Sequence, residues 1–253
     1  MLGVVVAAAM AYGWFEAGWL RKRMLEVHLA GLPERLEGLR IAHLSDFHLG
    51  PPSRGAVAVR RAADWVRERK PDLTVVTGDL LSHPRGRARL DGALRGLGAY
   101  AVLGNHDVAV TRDPFSRAAA VGGLQATLLD DTSRLLDLRG VPVQVAGTAP
   151  RPSPSLPAPD AAAAFRILLT HYPRLHAPGF HLVLAGHMHA GQIVLPYPGG
   201  KIRFAHLRAR LTQGLYRENG VTLHVSPGLG TTFVPFRLFA RPEVTELVLR
   251  RSE

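Results

Sequence analysis

Leu39-Arg40-Ile41-Ala42-His43-Leu44-Ser45-Asp46-Phe47-His48 runs an apolar segment straight into two metal-donor side chains. Leu39 to Leu44 reads as a buried strand, and Asp46 and His48 fall where such a strand ends. The same arrangement returns downstream. Leu73 to Thr77 leads into Gly78-Asp79, and Ala99 to Leu103 into Gly104-Asn105-His106-Asp107. Ile167 to Leu169 leads to His171, and Leu182 to Ala185 into Gly186-His187-Met188-His189. Asp46 and His48 are two apart, as are His187 and His189. Side chains two apart in an extended segment point the same way, so each pair is expected to present two donors to one place. Glycines before Asp79, Asn105 and His187 permit sharp turns there.

Asp46, His48, Asp79, Asn105, His171, His187 and His189 make seven oxygen and nitrogen donors. Two divalent ions sharing a bridging oxygen ligand need about that many, and Asp, Asn and neutral His suit Mn, Fe, Zn, Co or Ni. Each phrase alone is weak, because Asp-x-His, Gly-Asp and His-x-His also occur in ordinary turns. Their order, each at the end of an expected strand, gives the set its force.

These phrases, in this order, resemble the calcineurin-like metallophosphoesterase superfamily. Gly38 to Asp46, Gly186 to Ile193 and the run from Gly228-Leu229-Gly230-Thr231 to Arg241-Pro242-Glu243 resemble its bacterial membrane-associated branch, which includes UDP-2,3-diacylglucosamine pyrophosphatases. The likeness covers about residue 25 to the C-terminus. It implies an α/β fold, a four-layer α-β-β-α sandwich of two mixed sheets. It further implies that Asp46, His48 and His189 hold one ion, Asn105, His171 and His187 the other, and that Asp79 bridges them. Mn is the favoured ion. The implied reaction is in-line attack of water on phosphorus, with His106 as general acid, since imidazole titrates near neutrality, and Asp107 orienting it. Asp107 reads equally as a solvated turn residue.

One departure narrows the class. Protein Ser/Thr phosphatases of the superfamily continue the second motif as Gly-Asp-x-x-Asp-Arg-Gly, whereas this chain has Gly78-Asp79-Leu80-Leu81-Ser82-His83-Pro84. A phosphoprotein phosphatase is disfavoured, and His83 reads as a loop residue.

The chain has 253 residues, a net charge of +11 and no cysteine, so disulfides and thiolate metal sites are excluded. Lys22, Lys70 and Lys201 are the only lysines, so the positive field is nearly all arginine. Such a field favours anionic partners, a phospholipid surface or a phosphorylated small molecule or lipid. Nucleic acid is the less favoured partner, because the basic residues are dispersed without an aromatic-interleaved stripe. An arginine-rich surface is also what compositional bias produces. Oligomeric state is not legible.

Leu2 to Phe15 carries no charge, Glu16 interrupts, and Arg21-Lys22-Arg23 closes the segment. This falls short of the roughly twenty residues of a membrane span unless Glu16 lies near the interface. We read 1–24 as an apolar membrane-associating segment and 25–253 as one catalytic domain. The basic cluster after the apolar run puts that domain on the cytoplasmic face. The alternative is an apolar helix packed on the domain or docked in an oligomer.

Between these landmarks the pattern predicts helices over about 54–69 and 87–97, alternating with the first strands as βαβ units. From Arg166 strands dominate, including Gln192 to Leu195, Val221 to Val225 and Val244 to Leu249, which argues for two facing sheets with helices outside. Pro150 to Pro159 holds five prolines and is expected to be an exposed loop. Pro196 to Leu215, with Lys201, Arg203 and His206, reads either as a substrate-clamping basic loop or as a solvated hairpin.

Overall fold

A computed structural model of the chain describes residues 1–50, 54–108, 121–151 and 154–252. Helix α1 (Leu2–Glu16) precedes β1 (Arg21–Leu29) and β2 (Arg40–Leu44). Helix α2 (Gly55–Arg69) crosses to β3 (Leu73–Thr77), and α3 (Arg87–Leu94) to β4 (Ala99–Val102). Then come β5 (Ala126–Leu128), β6 (Thr132–Leu138), β7 (Val141–Gly147), β8 (Phe165–Thr170) and β9 (Leu182–Ala185). A hairpin of β10 (Val194–Tyr197) and β11 (Gly200–Arg203) follows, and β12 (Gly214–Glu218), β13 (Val221–Val225) and β14 (Glu243–Arg251) complete the chain.

The strands form two six-stranded sheets, ordered β1-β14-β2-β3-β4-β5 and β12-β13-β9-β8-β7-β6. Both are mixed: β14 runs antiparallel to β2 in the first, and β6 and β12 run antiparallel to their neighbours in the second. The fold is therefore α/β with two large mixed sheets face to face. Ile41, Val75, Leu247 and Leu249 of the first sheet pack on Val143, Ile167, Leu169 and Leu184 of the second. Each such aliphatic side chain, taken fully out of water, contributes about 1.5–3 kcal/mol.

Helix α2 turns Ala58, Val59, Ala62, Ala63 and Val66 inward and keeps its charges outside. It stops at Lys70, in the left-handed conformation, just before Pro71. With α3 it covers the outer face of the first sheet. Over the outer face of the second sheet, Leu156, Leu175, Ala177, Phe180 and Leu211 supply the cover, and among the described residues they lie in coil. Pro154, Pro157, Pro159, Pro173 and Pro178 punctuate those segments and keep them from forming helices. The expected helix over 87–97 ends at Leu94, because Gly96 and Gly98 adopt positive φ.

Arg21-Lys22-Arg23 lies in a strand. It opens β1, which pairs in parallel with β14 from Arg21↔Glu243 to Leu29↔Arg251. Glu16 is fully buried, and its carboxylate accepts backbone N–H groups from Phe239 (2.9 Å) and Ala240 (2.7 Å). That clasp fixes the end of α1 to the loop before β14. Val4, Val5, Val6, Met10, Trp14 and Phe15 remain exposed. Among the described residues no helix is long and apolar enough to cross a membrane.

Candidate metal centre

The seven donors gather at the ends of β2, β3, β8 and β9 and on the turn that follows β4. Asp46, His48, Asp79 and His189 offer ligand atoms all within 4.8 Å of one another, and so do Asp79, His171 and His187. Asp79 belongs to both groups. Its Oδ2 lies 3.3 Å from Nε2 of His48 and 3.3 Å from Nε2 of His171. Asn105 joins the second group, its Oδ1 lying 3.0 Å from His171 Nε2.

The expected reason for convergence is wrong, although the donors converge. Asp46, His48, His187 and His189 lie beyond the strands and all adopt positive φ, between 44° and 72°, as does Asp79 at 54°. Left-handed backbone at non-glycine residues costs on the order of 1 kcal/mol or more each and persists only where the surroundings impose it. Twisted loops, not strand alternation, aim these side chains. The turns must also press together. A Cβ on Gly104 would overlap the Asp79 carboxylate, and one on Gly186 would overlap Ser45 Oγ and the Asp46 carboxylate.

The electrostatics suit cations. Burial opposes charge on His171, but the Asp79 and Asp46 carboxylates raise its pKa to about 9. His48 is raised in the same way against its burial, chiefly by Asp79. Burial works against Asp79 too, yet His171 and His48 hold it well below the usual carboxylate range. His187 is lowered to about 3 by burial, then by His171 and His206. A field that keeps extra protons on two imidazoles is one that a divalent cation would replace. The spacing agrees: donors about 2.1 Å from a common ion in octahedral geometry sit about 3 Å from one another, and His48 Nε2 is 3.1 Å from His189 Nε2. The donor set fits two ions.

His106 donates its backbone N–H to Asp79 Oδ1 (2.9 Å), and its ring stands edge-on to His48 at 4.7 Å. Asp107 accepts backbone N–H groups from Leu80, Leu81 and Gly104, pinning the loops after β3 and β4 together. His206 stacks beside His187, with ring centroids 4.9 Å apart. Lys201 and Arg203 lie on β11, where Arg203 packs over Gly191, and Lys201 is exposed. His83 accepts the backbone N–H of Arg85 and caps a short 3-10 turn. A cavity of about 530 Å³ opens beside His187 and His206, floored by Tyr172, Leu175, Met188 and Leu211. A larger one of about 660 Å³, between α2 and α3, includes none of the seven donors.

Several residues behind the donors went unread. Ser82 Oγ meets His48 Nδ1 at 2.8 Å. Arg237 is fully buried, donates to the carbonyls of Gly230, Pro227 and Ala240, and reaches His189 Nδ1 at 3.3 Å. It is one arginine among many, and its only signal was its place between Gly228 and Glu243. That stretch lies on the first donor loop, with Leu229 and Gly230 donating to the carbonyls of Ser45 and Asp46.

The comparisons with known proteins bear on this geometry. The uncharacterized metallophosphoesterase YkoQ of Bacillus subtilis is 31% identical, over 85% of this chain and 84% of its own length. Phosphodiesterase YaeI of Escherichia coli is 27% identical, over 96% and 94%. The "Transmembrane protein with metallophosphoesterase domain" of Danio rerio is 31% identical over the whole chain, which spans only 63% of that protein. Residues 39–191, from the start of the opening stretch through the last donor turn, match the family description "Calcineurin-like phosphoesterase". This chain therefore belongs to the calcineurin-like phosphoesterase family, and it is a metal-dependent phosphoesterase.

Proposed function

We propose that the chain hydrolyses a phosphodiester or pyrophosphate at a membrane surface, with a lipid precursor such as UDP-2,3-diacylglucosamine as the favoured substrate class. In this reading Asp46, His48 and His189 hold one divalent ion, Asn105, His171 and His187 the other, and Asp79 bridges them. Two ions bound there, Mn being the favoured metal, supply the Lewis acidity that activates water and offsets charge developing at phosphorus. His106 delivers a proton to the leaving oxygen, and Asp107 keeps the His106 turn locked to the Asp79 loop. His206, Lys201 and Arg203 steer the remainder of the anion.

The observation carrying the hydrolase reading is the pair of donor groups sharing Asp79. The lipid reading draws its support from the exposed apolar side of α1, clasped by Glu16 to the loop that holds Arg237. Ring contacts continue that surface from Tyr12 to Phe239, and Phe233 stands beside His106. The apolar cavity next to His187 offers room for part of an acyl chain. On this reading 1–24 forms the membrane-associating segment, 25–253 the catalytic domain, and the domain faces the cytoplasm.

A second reading, a general phosphodiesterase or phosphomonoesterase on soluble or cell-wall phosphates, is favoured on its diesterase side by the likeness to YaeI over nearly all of both chains. Product analysis with Mn on UDP-2,3-diacylglucosamine and bis-p-nitrophenyl phosphate separates the two. Release of the lipid phosphate supports the first, and hydrolysis of bis-p-nitrophenyl phosphate alone removes it. No turnover of either removes both.

A further inference from the structure

Beneath the donor loops the two sheets meet across a polar layer. His43 of β2 and His224 of β13, both fully buried, approach with their Nδ1 atoms 2.8 Å apart. Two ring nitrogens come that close only with one proton between them, one donating and one accepting. The rest of the layer decides which.

Ser45 Oγ lies 3.1 Å from the Thr77 carbonyl and also hydrogen-bonds the Asp46 carboxylate, and since both can only accept, the Ser45 proton goes to one of them. Thr77 Oγ1 must then donate to Ser45 Oγ, 2.8 Å away. His43 Nε2, 2.9 Å from Thr77 Oγ1, is left to donate to it. Burial, reinforced by His224, holds His43 well below the usual imidazole range, so it is neutral and its Nδ1 accepts. His224 therefore donates from Nδ1. It is neutral as well, lowered to about 3 by burial and then by Arg23, so its Nε2 carries no proton. That Nε2 is buried without a hydrogen-bond partner among the described residues. The opposite direction would strand an N–H there, the costlier orphan.

The chain of protons ends on the donors. The Thr77 carbonyl also accepts from His171 Nδ1 at 2.9 Å, which leaves His171 Nε2 facing Asp79 and Asn105. Ser45 immediately precedes Asp46, and Thr77 lies two residues before Asp79.

From this we infer that His43 and His224 are positioning residues: their one-way hydrogen-bond chain through Thr77 and Ser45 seats the loops carrying Asp46 and Asp79. The inference rests on the metal-centre reading above.

The test uses full-length His224→Leu and His224→Asn, with Mn affinity of the metal-free protein, thermal midpoint and ¹⁵N NMR of the rings. Leu cannot donate to His43, and Mn affinity is expected to fall about 10- to 100-fold, as for other supports behind metal ligands. The midpoint should change little, since Leu fills nearly the volume of the imidazole. Asn places an N–H where Nδ1 stood and should restore affinity to within a few-fold. Metal-free wild type should show a proton on Nδ1 and none on Nε2 of His224, and a proton on Nε2 of His43. Wild-type affinity in His224→Leu, an affinity loss that Asn does not rescue, or a proton on His224 Nε2 would overturn the inference, and the NMR needs no variant to fold. Asp79→Ala separates the two failures. If it loses Mn while His224→Leu binds normally, only this inference falls, and if it keeps Mn, the metal-centre reading falls with it.

Discussion

The two donor groups share Asp79 and differ in enclosure. Asp46, His48 and His189 are sealed, with Ser82 behind His48 and the Arg237 guanidinium behind His189. His187 and Asn105 are half-buried, and they open toward His206 and the cavity beside it. Enclosure slows exchange, whereas an open flank gives substrate oxygens a way in. An ion in the sealed group should be structural in its permanence, and one in the open group exchangeable and nearer the substrate.

The harshest way to break that comparison is to remove what the groups share. Asp79→Ala should lose both ions by elemental analysis and lower turnover on the order of 10³-fold or more, since several kcal/mol of charge stabilisation go with them. Retention of either ion would mean the groups are independent. His106→Ala should keep both ions and lose about 10²-fold on substrates with poor leaving groups, with little loss on p-nitrophenyl esters. An equal loss on both would refute the acid role. A milder cut sharpens the difference: His187→Ala should retain one equivalent of Mn under a chelator challenge that leaves wild type with two. Loss of both would show that the open group supports the sealed one.

What the sequence disclosed follows the same divide between inside and edge. Strands buried on both faces, such as Leu73–Thr77 and Leu182–Ala185, announced themselves as continuous apolar runs. The four sheet edges, β1, β5, β6 and β12, went unread. Edge strands carry charge and expose alternate residues, as in Arg21–Leu29 and Thr132–Leu138, and so look like loops. Central β7 was also missed, with Pro142 and Gln144 interrupting its apolar pattern. The donor residues were legible because metal chemistry restricts which side chains can serve. Their support was not. Arg237, His43 and His224 sit in geometry assembled from distant strands, and Glu16, which interrupts an apolar run in the sequence, is a buried clasp.

The smallest expected effect sets the open group against the imidazole pair below it. In the metal-free protein His171 has its pKa raised to about 9, against about 6.5 in an unfolded chain. The stability it contributes is present below pH 6.5 and is lost as pH rises toward 9. His224, lowered to about 3, has the opposite sign: below pH 6.5 the unfolded chain takes up a proton that the folded chain refuses. Each such group lowers stability by about 1.4 kcal/mol per pH unit as pH drops, with His43, His187 and His189 adding in the same direction in the metal-free protein. Metal-free protein should therefore be most stable near pH 6.5. Added Mn should flatten the alkaline arm, because a cation replaces the His171 proton, and leave in place the share of the acid arm that His43 and His224 contribute. Thermal midpoints across pH 5 to 9, with and without Mn, read both arms at once. An alkaline arm that survives saturating Mn would remove His171 from the ligand set, and an acid arm unchanged in His224→Leu would deny the buried pair its share of it.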